Sequence, residues 1–502
     1  MVADTRTTKV PCIPTIRPRS HIEIPRGLLE RRFMNSSRTR SILLLALSLT
    51  AIVTVVPGPA MAQFDGPEKY GGDLFSRPRL TGDWGGVRDE MAKRGIFLDL
   101  DYLQILQGVQ EGGRKNDVSY WGEAGYTLTV DSGKLGLWPG GFLKIHALST
   151  YGTTTNRDAG AIVPLSTSFL YPAPSDPGTA LLNFTATQFF TKWAGVYFGK
   201  IETLAGSDAN EFADDYRTKF SNGSLQFNMA NVLVPLSTIG GGIVLLPWDG
   251  AIVNVGVLDP DGTPNDDFGH PYSKGVIVTS EGRVAIKPFG LLGHQTLGFT
   301  WSNEEHFSIN QDPANIARLL LRERFPRLAN PGPILNRILD RFFPNLGAPV
   351  VPAERKDDTW SVYYNFDQYV WNPDGDKDRG LGVFFRFGVS DGNPNPVKYF
   401  YSAGIGGKGL VPGRPKDTFG IGWARTQFSD SLVPFLRDRL SLGLDHEDAY
   451  EAYYNFTVAP WLGVTLDLQV VDQGLTKDLV SGSALKAISP AVIGGLRAYA
   501  RF

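Results

Sequence analysis

Asp99 and Asp101 stand between Leu98, Leu100 and Tyr102, and the same two-residue rhythm carries much of the charge in this 502-residue chain. Groups suited to making or breaking bonds are scarce beside it. Cys12 is the one cysteine, which excludes a disulfide framework, a two-cysteine redox centre and a thiolate zinc site. Six histidines leave little room for a histidine-rich metal centre. Gly404, Gly406 and Gly409 fit a G-x-G-x-x-G spacing, but they end a strand pattern and open no helix, so a phosphate cradle is not expected. Asp374, Asp376 and Asp378 resemble the start of a calcium loop. Position twelve is then Phe385 instead of a glutamate, and the run reads as a polar turn. His446-Glu447 lacks the second histidine of a zinc-protease helix, and no G-x-S-x-G elbow occurs. The expectation is a protein that is not an enzyme and needs no cofactor or metal.

The charges need elements to position them, and the first 62 residues are not among these. Residues 42–56 are an uncharged apolar run, preceded by Arg31, Arg32, Arg38 and Arg40 and followed by Ala60-Met61-Ala62. This is a three-part secretory signal, with cleavage expected after Ala62. Met34 would make a more ordinary start than Met1. Without the leader the chain carries 40 basic and 48 acidic residues, a net charge of −8. An acidic exported chain is a poor nucleic-acid binder. Beyond the leader no apolar stretch reaches the roughly 18 residues of a spanning helix.

The body alternates with period two. In Glu123–Asp131, Leu143–Ala147 and Val464–Val470, apolar side chains fall on one parity and polar ones on the other. Successive strand residues point to opposite faces. Each segment therefore has one greasy and one wet face, as in a soluble sandwich or, turned inside out, a membrane barrel.

Three features favour the barrel. Sixteen strands are expected, near 96–109, 118–132, 141–150, 180–191, 194–202, 231–246, 250–259, 275–287, 294–304, 359–371, 380–390, 397–411, 417–428, 448–459, 461–472 and 490–502. Their connections alternate between long ones, such as 151–179, 203–230 and 305–358, and tight ones such as Lys192-Trp193 and Ala459-Pro460. That is the asymmetry of an outer-membrane barrel. Trp138, Trp193, Trp248, Trp371 and Trp461 all fall beside the tight turns, as an interfacial girdle would. The expected fold is all-β: a transmembrane antiparallel β-barrel of about 16 strands, with a short N-terminal helix and long extracellular loops. The division is a leader over 1–62, a periplasmic segment with a short helix over 63–95, and the barrel over 96–502.

The segment LTGDWGGVRDEMAKRGI over 80–96, followed by a first strand, resembles the opening of carbohydrate-selective porins of the OprB type. Leu137-Trp138-Pro139-Gly140-Gly141, Tyr364–Gln368, Glu447–Tyr454 and Ala498–Phe502 extend the resemblance over most of 80–502. It implies passive, carbohydrate-selective diffusion of small neutral sugars through a water-filled barrel in a bacterial outer membrane. A final strand ending in Phe502 resembles the signal read by the barrel assembly machinery. The wet parity then supplies the lining: Asp99, Asp101, Glu123, Lys144, Lys200, Glu202, Arg386, Arg425 and Arg497. Arginine donates in a planar fork and carboxylates accept, which suits sugar hydroxyls. Trp84, Tyr363 and Phe384 could stack on a pyranose. Trp84 and Arg88 lie on the short helix, which the resemblance places at the periplasmic end of the lumen. The connection 203–230, with Asp208, Asp215, Arg217 and Lys219, is the candidate constriction.

Other functions stay open on sequence. A general porin, or one selective for ions or amino acids, has the same wall. A secreted all-β enzyme acting on polysaccharide would need a carboxylate pair in a cleft. An energised transporter would need a plug longer than the roughly 33 residues ahead of strand one. Residues 316–325 and 334–343 carry apolar residues at helical spacing, ended by Pro326 and Pro344, and predict a helical hairpin inside 305–358.

Overall fold

Sixteen antiparallel strands, each bonded to its neighbours in sequence, close into a barrel when the last pairs with the first. The structure is a computed structural model. It describes residues 66–67, 69–170, 172, 177–263, 269–311, 352–376, 379–432, 443–480 and 484–502. The strands are β1 Ile96–Gly113, β2 Val118–Asp131, β3 Gly141–Gly152, β4 Gly178–Phe189, β5 Ala194–Glu202, β6 Ser237–Leu245, β7 Ala251–Leu258 and β8 Ile277–Ile286. They continue as β9 Gly293–Ser302, β10 Thr359–Trp371, β11 Gly380–Ser390, β12 Val397–Lys408, β13 Thr418–Phe428, β14 His446–Ala459, β15 Leu462–Asp472 and β16 Ser489–Arg501. Number and order match the sequence expectation. The largest boundary shift is at β6: the apolar run expected as a strand from 231 pairs only from Ser237. Pro235 offers no N–H to a ladder, and the residues before it belong to a loop.

The register sorts the two parities. Leu106, Leu496, Leu466 and Tyr454 form one row across four strands. The adjacent row is Ile105, Arg497, Thr465 and Asn455. Leu106, Leu496 and Leu466 are exposed, whereas all four of the second row are buried. Ile421 (66% exposed) and Phe198 (62%) share the outer, apolar surface. An apolar exterior around a polar interior is the inversion a bilayer stabilises. Among the described residues no helix is long and apolar enough to cross a membrane.

The connections sort by end. Short turns gather at one end with the five tryptophans, of which Trp138, Trp193 and Trp371 are exposed. The β6–β7 turn closes by Ala251 N–H donating to the Trp248 carbonyl at 3.1 Å, with Gly250 in the left-handed region at φ 78°. Long connections gather at the other end. The one between β9 and β10 starts from a two-stranded neck, His306–Phe307 against Arg355–Lys356. The expected helical hairpin, and the leader with its cleavage site, lie outside the described residues.

The N-terminal segment seals the β1–β16 seam. Its helix α1, Val87–Lys93, has Asp89 and Glu90 in the first turn and Lys93 in the last, each opposite in sign to its helix end. Leu80 N–H donates to the Arg501 carbonyl at 2.8 Å, and Trp461 Nε1 to the Leu74 carbonyl at 2.7 Å.

Candidate functional site

The connection between β5 and β6, residues 203–236, folds inward onto the inner faces of β10–β16. Its apolar residues drive this. Phe212, Phe220, Leu225 and Met229 are buried against Tyr369, Phe384, Phe400 and Tyr453 of the wall. Phe220 meets Tyr453 edge-on with ring centroids 4.8 Å apart, and Phe212 meets Tyr369 at 4.9 Å. Wall glycines make the room. A Cβ on Gly406 would lie 2.7 Å from Phe212, and one on Gly420 would lie 2.8 Å from Phe220.

Polar wall residues hold the loop's backbone. The Arg386 guanidinium, fully buried, ion-pairs with Asp208 at 2.9 Å. It also donates to the carbonyls of Leu225 (2.9 Å) and Ala213 (2.7 Å). Asn365 donates to Asp208 Oδ1 at 2.9 Å and accepts from Asn210 at 2.7 Å. Glu451 accepts the successive N–H groups of Ser221 and Asn222 at 2.7 and 2.9 Å. Arg497 donates to the Lys219 carbonyl at 2.6 Å, bonds the Tyr216 carbonyl, and lies 3.3 Å from Asp467. Each bond to a charged group is worth about 1.5–3 kcal/mol.

A second inward segment precedes β4. Glu447 accepts the N–H groups of Ile162 and Val163, both at 2.8 Å, and Trp121 Nε1 donates to Ser168 Oγ at 2.8 Å. The two loops also bond each other, Thr167 N–H to the Ser221 carbonyl at 3.0 Å and Gly223 N–H to the Pro164 carbonyl at 2.8 Å. This segment escaped the sequence reading because it is nearly uncharged. The signal lay on the wall: Glu447 and Glu451 keep one parity on β14, each ready to take a pair of loop amides.

Opposite the loop's anchored side a polar set remains. Arg217 on the loop lies 3.5 Å from Glu123 and packs over Tyr216, 4.6 Å from its ring centre. Tyr216 and Tyr499 donate to Glu123 and Asp101, both at 2.8 Å. His146 Nδ1 and Glu202 are 2.8 Å apart. Lys144 keeps the same face as His146, half-buried. Asp215 accepts the Arg217 N–H at 3.0 Å. Burial pushes the Asp215 carboxyl up, but the Arg217 charge and the Thr218 hydroxyl outweigh it and hold the acid below its usual range. Burial lowers the Lys219 ammonium, and nearby Asp214 and Asp215 raise it above normal. The loop thus presents fixed charges of both signs.

Several expected lining residues have other work. Arg425 is on the outer parity, between exposed Ile421 and Gln427, and pairs with Asp448 at 2.6 and 2.8 Å. The sequence pattern failed there because an ion pair near a strand end mimics a wet face. Arg386 and Arg497 are buried beneath the loop, and Phe384 is covered by Phe220. Tyr363 is buried and donates to Glu281. Lys200 is buried. Glu123 is buried too, within reach of Arg217. Arg88 is also buried, donating to the carbonyls of Leu98 (2.6 Å) and Phe502 (2.9 Å) and reaching Asp99 at 3.1 Å. Asp99 additionally holds Arg79 at 2.6 Å. Trp84 is exposed, its ring 4.9 Å from the Arg88 guanidinium. These groups brace the seam.

The family model described as carbohydrate-selective porin, OprB family, matches residues 115–502. Porin B of Pseudomonas aeruginosa is 22% identical over 443 residues, 82% of this chain and 90% of that protein. The high-pH structure of Pseudomonas putida OprB aligns with a TM-score of 0.67 at 20% identity, covering 86% of this chain and all of that one. Its low-pH structure gives 0.51 at 19% identity, covering 85% and 99%. At these identities the structural likeness speaks for the fold of a closed porin barrel. The family match spans most of the chain, so the chain belongs to the OprB family of carbohydrate-selective porins.

Proposed function

We propose that this barrel lets small neutral sugars diffuse passively across a bacterial outer membrane. The observation that carries the reading is the polar set beside the inward loop. Arg217, Tyr216 and Lys144 supply donors and Asp101, Asp215 and Glu202 supply acceptors, all of them half-buried. A sugar exchanging its water shell needs donors and acceptors in alternation, and this set supplies both. An ion meets charges of both signs and gains less. No bond is made or broken; the gradient drives transport, and selectivity comes from the lining. In this reading the long-loop end is extracellular, the tryptophan end periplasmic, and residues 1–62 an export leader. The final strand, ending at Phe502, is the part the barrel assembly machinery would engage.

Liposome swelling tests this. Proteoliposomes of the full barrel should admit glucose faster than neutral amino acids of similar mass. Equal rates would make it a general diffusion pore.

A further inference from the structure

Between the inward loop and the inner faces of β5–β10 the lumen opens into a cavity of about 690 Å³ toward the long-loop end. That is the size of a small-molecule site. Its sides differ in chemistry. Leu204, Val232, Leu233 and Val234, all from 203–236, form an aliphatic wall. Val232 is 44% exposed, and Ile162, from the second inward segment, is 40% exposed. Both line the cavity. Aliphatic surface facing water inside a channel destabilises the fold, and an apolar group covering it reverses that cost.

The other side is polar. Asn254 on β7 and Glu281 on β8 are cross-strand partners, and Thr279 is two residues along the same face. Glu281 Oε2 accepts from Tyr363 and, at 2.7 Å, from the Asp208 N–H. Asn254 Oδ1 accepts from Tyr197 at 2.7 Å. Among the described residues, no hydrogen bond uses Glu281 Oε1, Asn254 Nδ2 or Thr279 Oγ1. An acceptor, a donor and a hydroxyl therefore remain for a solute. Glu202 lines the same cavity and bonds His146 of the polar set, so the two regions are continuous.

The geometry points to a binding site for glycosides that carry a small apolar aglycone. The glycosyl hydroxyls meet Asn254, Thr279 and Glu281, and the aglycone covers Val232, Leu233 and Val234. A bare monosaccharide fills only the polar side. The glycosyl half of this assignment rests on the sugar-porin reading; the apolar half does not.

Single-channel recording of the intact barrel in planar bilayers tests it, with glucose, phenyl β-D-glucopyranoside and benzyl alcohol as probes. Phenyl glucoside should half-block the current at a concentration at least about fivefold below that of glucose. The double variant Val232→Asn with Ile162→Asn alters two exposed side chains, so the barrel folds. It should erase that difference and leave open conductance and the glucose response unchanged. Asn254→Leu should weaken block by phenyl glucoside and spare block by benzyl alcohol. Equal half-block by glucose and phenyl glucoside in the wild type overturns the assignment, as does a double variant that keeps the full difference. Benzyl alcohol blocking as well as phenyl glucoside overturns the glycosyl half. Phenyl glucoside block that persists where liposome swelling shows no glucose preference would fault the transport reading and support the apolar half.

Discussion

Arg386 of the wall and Asp208 of the inward loop form an ion pair at 2.9 Å with both side chains almost fully buried. Breaking one partner of a buried pair costs about 3–5 kcal/mol, because the other charge is left without compensation. Arg386→Met should therefore release the loop. Single-channel conductance should rise and a protease should gain access to 208–230, with the barrel still resistant on semi-native gels. Unchanged conductance and unchanged protection would remove the anchor role.

A second route to the same release is steric. Gly406→Val sets side-chain atoms where Phe212 packs, since even a Cβ there lies at 2.7 Å. Overpacking of this kind costs about 1–3 kcal/mol. Conductance should again rise. Gly494→Ala, whose added Cβ meets nothing nearer than 3.9 Å, should match wild type. Equal behaviour of the two variants would mean that loop packing does not depend on the wall glycines.

Arg88 should matter for stability and not for passage. Arg88→Ala removes bonds to the Leu98 and Phe502 carbonyls and to Asp99 across the seam. Loss of charge-assisted bonds of about 1.5–3 kcal/mol each should lower the unfolding temperature clearly on heated gels. Trp84→Ala loses one exposed cation–π contact, about 0.5–1 kcal/mol, and should do little. Sugar uptake should survive both.

Arg217 and Arg425 separate lumen from exterior. Arg217→Gln removes a cation beside Glu123 and Asp101, so reversal potentials in a salt gradient should shift toward cation preference. Arg425→Gln changes an outward pair with Asp448 and should leave them unchanged. A matching shift from Arg425→Gln would put that strand in the opposite register.

The register has its own test in lipid. Leu466 is exposed on the outer row, and Thr127 lies on the inner face, opposite Asp99 and His146. An arginine on the lipid side near mid-membrane costs about 2–4 kcal/mol. Leu466→Arg should cut folded barrel yield well below that of Thr127→Arg. Comparable yields would invalidate the assignment of faces.

Alternation in the sequence determined the strands and their two faces; strand number, connection lengths and tryptophan placement turned them into a barrel. The side-chain period of a strand is fixed by its backbone, so runs such as Leu98–Tyr102 and Val464–Val470 declared both strand and face. Alternating connection lengths and the tryptophans beside the tight turns declared the two ends. The long connection 203–230 stood out by its charges. What each inward charge does was decided only by tertiary structure. Arg386, Arg497 and Arg425 read alike in sequence, as wall residues of the wet parity, yet the first two lie buried beneath the loop and hold its carbonyls, while Arg425 faces outward and pairs with Asp448. Arg217 was legible as a loop residue, but its packing against Tyr216 and Glu123 was not. The physical reason is that parity along a strand specifies at most a side, whereas burial depends on which distant segment arrives to cover that side. Here the covering segments come from 156–170 and 203–236, and their arrival is a matter of long-range packing that no local period encodes.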